Sequence, residues 1–328
     1  MSNLLYLYQH IPYNLNPVAF AVGNFAVDWY SIMYLVAFGV VYSLLKYRIK
    51  RSEGDGLEIT KSKLQISNKI LASTSGDSCS STRGGQNPKS EINIEKIPNT
   101  RNQIQNTDTL LDIMLAVFVG LLIGGRLGYV IFYNFTYYLQ NPLVIISPYD
   151  AVTHQFIGIY GMSYHGGLIG AVLAGWIFIR IKRLDFWRWA NFVAPAVPAG
   201  YFFGRIGNFL NGELYGRATS GFWGMYFPSD PFGLLRHPSE LYEAVLEGLI
   251  IFLVLWPLRH NQKYQDKLLA LYIVGYASAR IIAEFFREPD VQVGYIFNSL
   301  TLGQILSSLM LVFGLWLIFV SRKRKKVV

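Results

Sequence analysis

The sequence predicts an all-α, polytopic membrane protein with seven transmembrane helices. Of its 328 residues, 52% are hydrophobic and only 15% are charged, a composition typical of chains that lie in a bilayer. Seven apolar runs approach the roughly 20 residues that a membrane-spanning helix needs. They cover residues 27–46, 110–133, 164–181, 190–204, 241–258, 268–286 and 300–320.

Basic residues at the ends of alternate runs predict the orientation in the membrane. Runs one, three, five and seven end in clusters of Lys and Arg, at 46–51, 180–183, 259–263 and 322–326. All of these ends lie on one side if the runs alternate, and the positive-inside rule makes that side the cytoplasm. We therefore expect the N-terminus outside and the C-terminus in the cytoplasm.

Composition divides the chain into three parts. Residues 1–51 form an outer N-terminal segment with the first transmembrane helix, and residues 108–328 form a six-helix body with an outer loop at 205–240. Residues 52–107 contain no aromatic residue and are rich in Ser, Asn and Lys, so we expect a disordered cytoplasmic insert. In the fourth run, Pro195 and Pro198 predict a kinked helix that lines protein or a cavity.

Charge and motif content exclude several classes of function. The net charge of +9 lies largely in clusters that flank apolar runs, so we expect a lipid bilayer and no nucleic acid as partner. Cys79 is the single cysteine, which excludes an internal disulfide and a cysteine-based metal cluster. The sequence lacks a P-loop, a GxSxG, an HExxH and a carboxylate cluster suited to a divalent metal, and we expect no metal and no cofactor.

The stretch from Gly204 to Arg217 carries the strongest functional signal. It combines Arg205, Asn208 and Glu213 with four glycines, among them Gly216, directly after an apolar run. Inserting an arginine at membrane depth costs about 2.5–3.5 kcal/mol of free energy on insertion scales, so an arginine at this position indicates a specific structural or functional role. A snorkelling interfacial arginine is the alternative, but the neighbouring amides and carboxylate favour an anion-binding site.

A second charged cluster lies near the outer end of the sixth run. Arg280, Glu284 and Arg287 are spaced by four and three residues, which places them on one helical face that Tyr276 continues. A purely structural triad remains an open alternative. This face opens toward the same outer side as Arg205, which favours a shared site.

Two further polar residues lie among glycines, and both have open alternatives. His165 begins the third run at the outer interface, followed by glycines that also suit helix packing. Arg126 lies inside the second run and must face protein or water, so it either supports the structure or a lipid headgroup.

The run from Arg236 to Glu243 opens the fifth transmembrane segment. Ser239 follows Pro238 and is predicted to be a helix N-cap, which explains much of this run without catalysis. His237 and Glu243 remain weaker candidates for the site. Together, arginines, a histidine, amides and carboxylates at the outer side suit an anionic lipid headgroup, because guanidinium groups bind phosphate bidentately.

At this level of detail, the chain resembles the bacterial prolipoprotein diacylglyceryl transferases over nearly its whole length, apart from the polar insert. The motifs that carry the resemblance are Trp29-Tyr30, Gly124-Gly125-Arg126, His165-Gly166-Gly167-Leu168-Ile169-Gly170, Gly204–Phe209, Asn211–Arg217, Arg236-His237-Pro238-Ser239, Leu241-Tyr242-Glu243, and Arg280 with Glu284–Arg287. Several long motifs in the family's order make coincidence implausible.

The resemblance implies an activity and a location. The family transfers the diacylglyceryl group of phosphatidylglycerol to the thiol of the lipobox cysteine in a prolipoprotein signal peptide and releases glycerol phosphate, the first step of lipoprotein maturation. It implies a multi-pass protein of the bacterial cytoplasmic (inner) membrane, with its active site toward the periplasmic, outer leaflet. The nucleophilic sulfur arrives with the substrate, so the enzyme needs no cysteine of its own.

The resemblance also implies roles for individual residues. Arg205 and Arg280 would hold the phosphate and stabilise its leaving charge, while His165 would be the candidate base for the thiol. Without a dedicated base, an arginine-rich site could instead lower the pKa of the thiol. The residues expected to bind substrate or to orient Arg280 are Tyr30, Arg126, Asn208, Glu213, Gly216, Glu243, Tyr276, Glu284 and Arg287.

Two other classes of function compete with this interpretation. An anionic-lipid transporter or flippase would use the same arginines, since broken helices and buried charge are typical of transporters. The sequence has no visible inverted repeat, and its polar residues gather at one leaflet, which counts against that class. Another headgroup enzyme, such as a phosphatase, would ordinarily carry a metal-binding carboxylate cluster or a nucleophile motif.

Overall fold

The structure is a computed structural model, and it describes residues 3–23, 25–51, 53, 99–133, 135–147, 161–288, 295–296 and 300–324. Most of the described chain is helical. Twelve α-helices are described: α1 Asn3–Gln9, α2 Ile11–Asn14, α3 Trp29–Lys50, α4 Asn99–Phe132, α5 Phe135–Gln140, α6 Tyr164–Ile181, α7 Phe186–Val193, α8 Val197–Leu210, α9 Ser239–Glu243, α10 Ile251–Leu258, α11 Leu268–Ala283 and α12 Leu302–Arg324.

Shorter elements complete the described chain. A π-helical segment, Ala244–Ile250, joins α9 to α10 without a break. Two 3₁₀ turns lie at Pro142–Ile145 and Gln265–Lys267. Strands β1 (Val18–Val22) and β2 (Phe25–Asp28) pair antiparallel, as do β3 (Tyr295–Ile296) and β4 (Leu300–Thr301).

Four helices of the described chain are long and apolar enough to cross a membrane. They are Trp29–Lys50, Asn106–Phe132, Ser239–Leu258 and Leu302–Ser321, which lie in runs one, two, five and seven. Run three forms a shorter apolar helix, and run six forms the 16-residue helix α11. Run four is interrupted between Val193 and Val197, as the two prolines predicted, because Pro195 and Pro198 cannot donate backbone hydrogen bonds.

The structure departs from the sequence prediction in two places. The all-α prediction does not include the two short pairs of antiparallel strands. The chain between β1 and β2 turns at Gly23, whose φ of 60° is a conformation that glycine adopts readily. Helix α4 begins at Asn99, inside the segment 52–107 that we expected to be disordered. Once a helix has nucleated in the apolar run, each added residue gains a hydrogen bond at little cost. The rest of that prediction, at 54–98, lies outside the described residues.

Contacts divide the described chain into two compact units. The first unit comprises Met1–Tyr47 and Ala190–Val328, and the second comprises Arg48–Trp189. In the second unit, α4 and α6 pack antiparallel along facing small residues. A Cβ atom at Gly124 would lie 2.7 Å from the Cα of Gly170, and one at Gly128 would lie 2.7 Å from the Cα of Gly166. The glycines after His165 therefore serve helix packing, as predicted.

Close helix contacts in the first unit also depend on glycines. Gly200 and Gly207 bring α8 against α3, where Cβ atoms would lie 2.8 Å from Val41 Cγ2 and 3.0 Å from Met33 Cβ. A Cβ at Gly248 would lie 2.8 Å from the Cα of Phe202, so the π-helical segment lies directly on α8. These approaches position the charged residues of α8 and of the Ser239–Leu258 helix beside one another.

The tight α4–α6 contact generates a prediction about stability. We expect Gly124→Ala to lower the thermal unfolding midpoint in detergent, because a methyl group there overlaps the backbone of α6 and overpacking costs about 1–3 kcal/mol. Gly39→Ala in α3 is the matched control, since nothing lies within 4 Å of its added Cβ. Helix propensity alone favours alanine at both sites. Equal shifts of the unfolding midpoint in the two variants would contradict a role of Gly124 in helix packing.

Candidate active site

Charged side chains from three helical elements meet inside the first unit. Arg205 comes from α8, Glu243 and Glu247 come from the Ser239–Leu258 helix, and Arg280 comes from α11. The two glutamates are buried, at 2% and 0% exposure, and Arg280 is 9% exposed. Buried ionic groups at this density require mutual pairing, because an unpaired charge in an apolar interior is costly.

The carboxylate of Glu243 joins the two arginines. Its Oε2 lies 2.8 Å from Nε of Arg205, and its Oε1 accepts a hydrogen bond of 2.6 Å from Nη1 of Arg280. Charge-assisted hydrogen bonds of this length are strong and directional. Removing one partner of such a buried pair typically costs about 3–5 kcal/mol. Glu243, a weaker candidate from the sequence, is therefore the centre of the cluster.

Tyr201 and Glu247 form a second layer around the arginines. Tyr201 lies one helical turn before Arg205, and its hydroxyl accepts a hydrogen bond of 2.8 Å from Arg205 Nε. That hydroxyl in turn donates to Oε2 of Glu247, whose Oε1 lies 3.6 Å from Arg280 Nη1. Glu247 lies in the π-helical segment, a distortion that often occurs at functional sites. Tyr276 of α11 packs edge-on against Tyr201, with ring centroids 5.7 Å apart.

A polar chain leads from Arg205 toward the loop that follows α8. Asn208 accepts a weak hydrogen bond of 3.4 Å from Arg205 Nη1 and donates one of 3.0 Å to Oε1 of Glu213. Tyr30 at the start of α3 interacts electrostatically with both Arg205 and Glu213, and its hydroxyl donates to Tyr34 at 3.1 Å. The structure thus brings these predicted residues to Arg205, as the sequence led us to expect.

Glu284 fixes the other side of Arg280. Its Oε2 lies 3.0 Å from Nη2 of Arg280, and its Oε1 accepts a hydrogen bond of 3.0 Å from the hydroxyl of Thr301. The prediction that Arg287 continues this helical face is wrong, because α11 ends at Ala283. The backbone of Arg287 instead forms a bridge with Gly216, and its carbonyl oxygen accepts from Nε of Arg217 at 2.8 Å.

Gly216 and Ser239 have structural roles that the sequence did not specify. A Cβ at Gly216 would overlap the carbonyl oxygen of Phe286, so the loop approaches the end of α11 as closely as only glycine allows. Ser239 is not an N-cap, because the helix already includes it and its hydroxyl donates to the carbonyl oxygen of Leu214 at 3.0 Å. These contacts attach the loop between α8 and α9 to the end of α11 and to the start of α9.

The loop between α8 and α9 carries its own buried ion pair. Asp230 accepts hydrogen bonds of 3.0 Å from Nε and from Nη2 of Arg236, and it also accepts from the backbone amides of Phe232 and Leu234. The hydrogen bonds from Arg236 hold the pKa of Asp230 below its usual range. Burial lowers the pKa of His237, which lies against aromatic rings and 3.2 Å from the hydroxyl of Tyr242.

His165 and Arg126 belong to the second unit. His165 is exposed in the first turn of α6, which Ser163 caps by accepting from the amide of Gly166. Arg126 is buried and donates 2.8 Å hydrogen bonds to the carbonyl oxygens of Ile145 and Val144. These bonds favour the structural alternative for Arg126, since they satisfy the backbone of the chain that follows α5.

The arginine cluster keeps free donors for a ligand. Among the described residues, Nη2 of Arg205 and Nε of Arg280 have no hydrogen-bond partner. The side chains of these arginines retain 14% and 11% exposure. The described chain holds no group of three or more His, Cys, Asp or Glu residues placed to bind a metal ion. The cluster can therefore present fixed N–H donors to an oxyanion.

Sequence reasoning missed Tyr201, Glu247 and the fully buried Glu240 of α9. A signal for Glu247 and Glu240 existed, because an ionisable residue inside an apolar run is costly and usually functional. Glu240 lies three residues before Glu243 and Glu247 lies four residues after it, and this spacing also places the three glutamates on one helical face. For Tyr201, the only signal in the sequence is its position one helical turn before Arg205.

These features are those of a membrane protein that buries a cluster of charged side chains around two arginines. In a comparison with known protein families, the sequence model of the prolipoprotein diacylglyceryl transferase family matches residues 92–320. The chain belongs to that family. The phosphatidylglycerol–prolipoprotein diacylglyceryl transferase of Chlorobaculum tepidum is 39% identical over 319 residues, covering 97% of this chain and 93% of the relative.

Two further relatives carry the same name. The protein of Campylobacter lari is 36% identical over 321 residues, covering 97% of this chain and 98% of the relative. The protein of Rickettsia bellii is 38% identical over 308 residues, covering 93% of this chain and 95% of the relative. These names support the transferase interpretation and not the transporter alternative.

The ion pair of Asp230 and Arg236 generates a prediction about the pH dependence of stability. Because the pKa of folded Asp230 is lowered, its stabilising contribution is present above the unfolded pKa of about 3.9 and is lost as the pH falls through the folded value. We expect the wild type to unfold at a higher temperature than Asp230→Asn near neutral pH, with the difference shrinking below about pH 4. A difference that stays constant through that range would contradict this role for the pair.

Proposed function

We propose that this chain transfers the diacylglyceryl group of phosphatidylglycerol to the thiol of the lipobox cysteine of a prolipoprotein, with release of glycerol phosphate. The observation that carries the proposal is the pair Arg205 and Arg280, held side by side by the carboxylate of Glu243. The names of relatives that match nearly the full chain supply the substrates.

The arginine pair suits a phosphate that must leave. Arg205 and Arg280 approach from different helices, and each keeps N–H groups that are not used by the described residues. A phosphodiester placed between them gains negative charge on the oxygen that departs, and fixed guanidinium donors stabilise that charge without reorganising. Glu243, Glu284 and Tyr201 hold the guanidinium planes before the lipid arrives.

The proposed step forms one bond and breaks one bond. The thiolate sulfur attacks the glyceryl carbon that carries the phosphate ester, and a carbon–sulfur bond forms as the carbon–oxygen bond breaks. The electron pair of the broken bond remains on the phosphate oxygen, so glycerol phosphate leaves as an anion beside Arg205 and Arg280. The thiol proton must be removed first, because the thiolate is the nucleophile.

We propose His165 as the acceptor of that proton. Support comes from the family resemblance and from its exposed position in the first turn of α6. An ordinary thiol has a pKa near 8.5, about two units above that of histidine, so transfer to His165 requires a cation near the thiol as well. An arginine-rich site that lowers the thiol pKa alone is the alternative.

We further propose the membrane arrangement in which this chemistry takes place. Seven spans, an outer N-terminus and a cytoplasmic C-terminus would direct the site toward the outer leaflet of a bacterial cytoplasmic membrane. The basic clusters after runs one, three, five and seven support this orientation, and the named relatives are bacterial. The segment 52–107 would then be cytoplasmic, and the prolipoprotein signal peptide would approach within the bilayer.

Product formation by the purified protein tests the proposal. In detergent with phosphatidylglycerol and a lipobox peptide, we expect a peptide that carries a thioether-linked diacylglyceryl group, detected by mass spectrometry. Arg280→Lys and Arg205→Lys should each lower the rate by about 10²–10³-fold, because lysine keeps the charge but loses the fixed donor geometry. Arg188→Lys is the matched control, since Arg188 forms an exposed pair with Asp185.

Two outcomes would contradict the proposal. Folded wild-type protein that binds phosphatidylglycerol but forms no thioether would favour lipid transport. Equal activity in Arg280→Lys, Arg205→Lys and Arg188→Lys would remove the arginine pair from the reaction.

A further inference from the structure

Glu240 is an acidic residue beside the arginine cluster whose burial the proposed step does not explain. Its side chain is fully buried, at 0% exposure, and among the described residues neither of its carboxyl oxygens has a hydrogen-bond partner. Buried polar groups in native proteins are normally paired, so an unpaired one needs an explanation. A ligand that donates hydrogen bonds to these oxygens supplies one.

The position of Glu240 connects it to the arginine site. It precedes Glu243 by three residues on α9, so both side chains lie on the same face of the helix. It interacts electrostatically with Glu243, Arg205 and Glu213. Glu243 and Glu247 use their oxygens to hold arginines and a tyrosine, whereas the oxygens of Glu240 have no hydrogen bond to any of these described side chains.

The chemistry of the lipid limits what can bond to Glu240. The phosphate and the acyl esters of phosphatidylglycerol offer only acceptor oxygens, and these cannot satisfy the acceptor oxygen that Glu240 carries in either protonation state. The two hydroxyl groups of the headgroup glycerol are the donors of this lipid. They are attached to the phosphate on the side that departs, next to the arginines that hold it.

The other donor in the reaction is the thiol of the peptide, and its approach direction separates it from Glu240. The sulfur attacks the glyceryl carbon from the side opposite the departing phosphate oxygen. Glu240 lies within electrostatic range of Arg205, which is on the phosphate side in the proposed step. The headgroup hydroxyls are therefore the donors within reach.

We propose that Glu240 is a specificity-determining residue that accepts a hydrogen bond from a hydroxyl of the headgroup glycerol. The inference rests on the proposed function and adds to it the means by which a glycerol headgroup is distinguished from other phosphodiesters. A site built to bond a hydroxyl rejects analogues that lack it, because its buried oxygens then remain unpaired. A headgroup without hydroxyls therefore gains no binding free energy from Glu240.

Kinetics with two lipids of equal charge test this assignment. Phosphatidylethanol carries the same single phosphodiester charge as phosphatidylglycerol but has no headgroup hydroxyl. We would measure KM for phosphatidylglycerol and the inhibition constant of phosphatidylethanol for the wild type, Glu240→Leu and Glu240→Gln. Glu288→Leu is the control, because Glu288 is about half exposed and pairs with Arg236 of the outer loop.

The expected result separates recognition from structural damage. In Glu240→Leu, KM for phosphatidylglycerol should rise about tenfold, the equivalent of one lost hydrogen bond, while the inhibition constant of phosphatidylethanol stays within about twofold. Glu240→Gln keeps an acceptor oxygen in place and should lie closer to the wild type than Glu240→Leu. Leucine replaces oxygens that have no partner among the described residues, so folding should be retained.

Two results would overturn the assignment. Equal loss of affinity for both lipids would mean that Glu240 only shapes the site, and unchanged KM in Glu240→Leu would mean that it does not touch the headgroup. Wild-type protein that forms no thioether in the same assay would instead overturn the proposed function, which distinguishes the two failures.

Discussion

The carboxylate of Glu243 holds two arginines that come from different helices, and the arrangement of the first unit depends on this contact. Arg205 and Arg280 repel each other and are costly to bury, so neither could lie there without a shared counter-charge. Each oxygen of Glu243 pairs with one arginine, which fixes the distance and relative orientation of the guanidinium groups. The site is therefore prepared for an anion before any ligand binds.

The surrounding fold satisfies the geometric demands of that contact. Gly200, Gly207 and Gly248 allow the backbones of α3, α8 and the π-helical segment to approach closely, which brings α8 beside the Ser239–Leu258 helix. The π-helical segment carries Glu247 to both Tyr201 and Arg280. Tyr201 supports Arg205 from its own helix, with the guanidinium carbon 5.0 Å above the centre of its ring.

The sequence predicted the main parts of the site because fixed charge in an apolar chain is costly and therefore conspicuous. Arg205 and Arg280 stand out for this reason, and the spacing of four residues predicted the pair of Arg280 with Glu284, which the structure contains. The prediction for Arg287 is wrong, because periodicity along a sequence does not reveal that α11 ends at Ala283. Glu243 is only a weaker candidate in the sequence, because its role depends on two partners distant in sequence.

Other features could not be predicted because they arise from packing in three dimensions. Only the folded structure reveals that the carboxyl oxygens of Glu240 have no hydrogen-bond partner among the described residues. The role of Gly216 likewise depends on the carbonyl oxygen of Phe286. The apolar runs predicted the helices well, since burial in lipid leaves few alternatives to a helix. The two short strand pairs are not constrained by burial in lipid, and apolar runs therefore do not predict them.

The central claim is that Glu243 prepares the arginine pair for phosphate departure, and the kinetics of Glu243→Gln test it most directly. The amide keeps the shape of the side chain but removes the charge that both guanidinium groups share. We expect kcat for thioether formation to fall about a hundredfold, because the arginines lose their fixed positions, without a rise in KM for phosphatidylglycerol. Glu288→Gln is the control, because Glu288 is about half exposed and pairs with Arg236, away from Glu243. A Glu243→Gln enzyme with the kcat of the wild type would contradict this account.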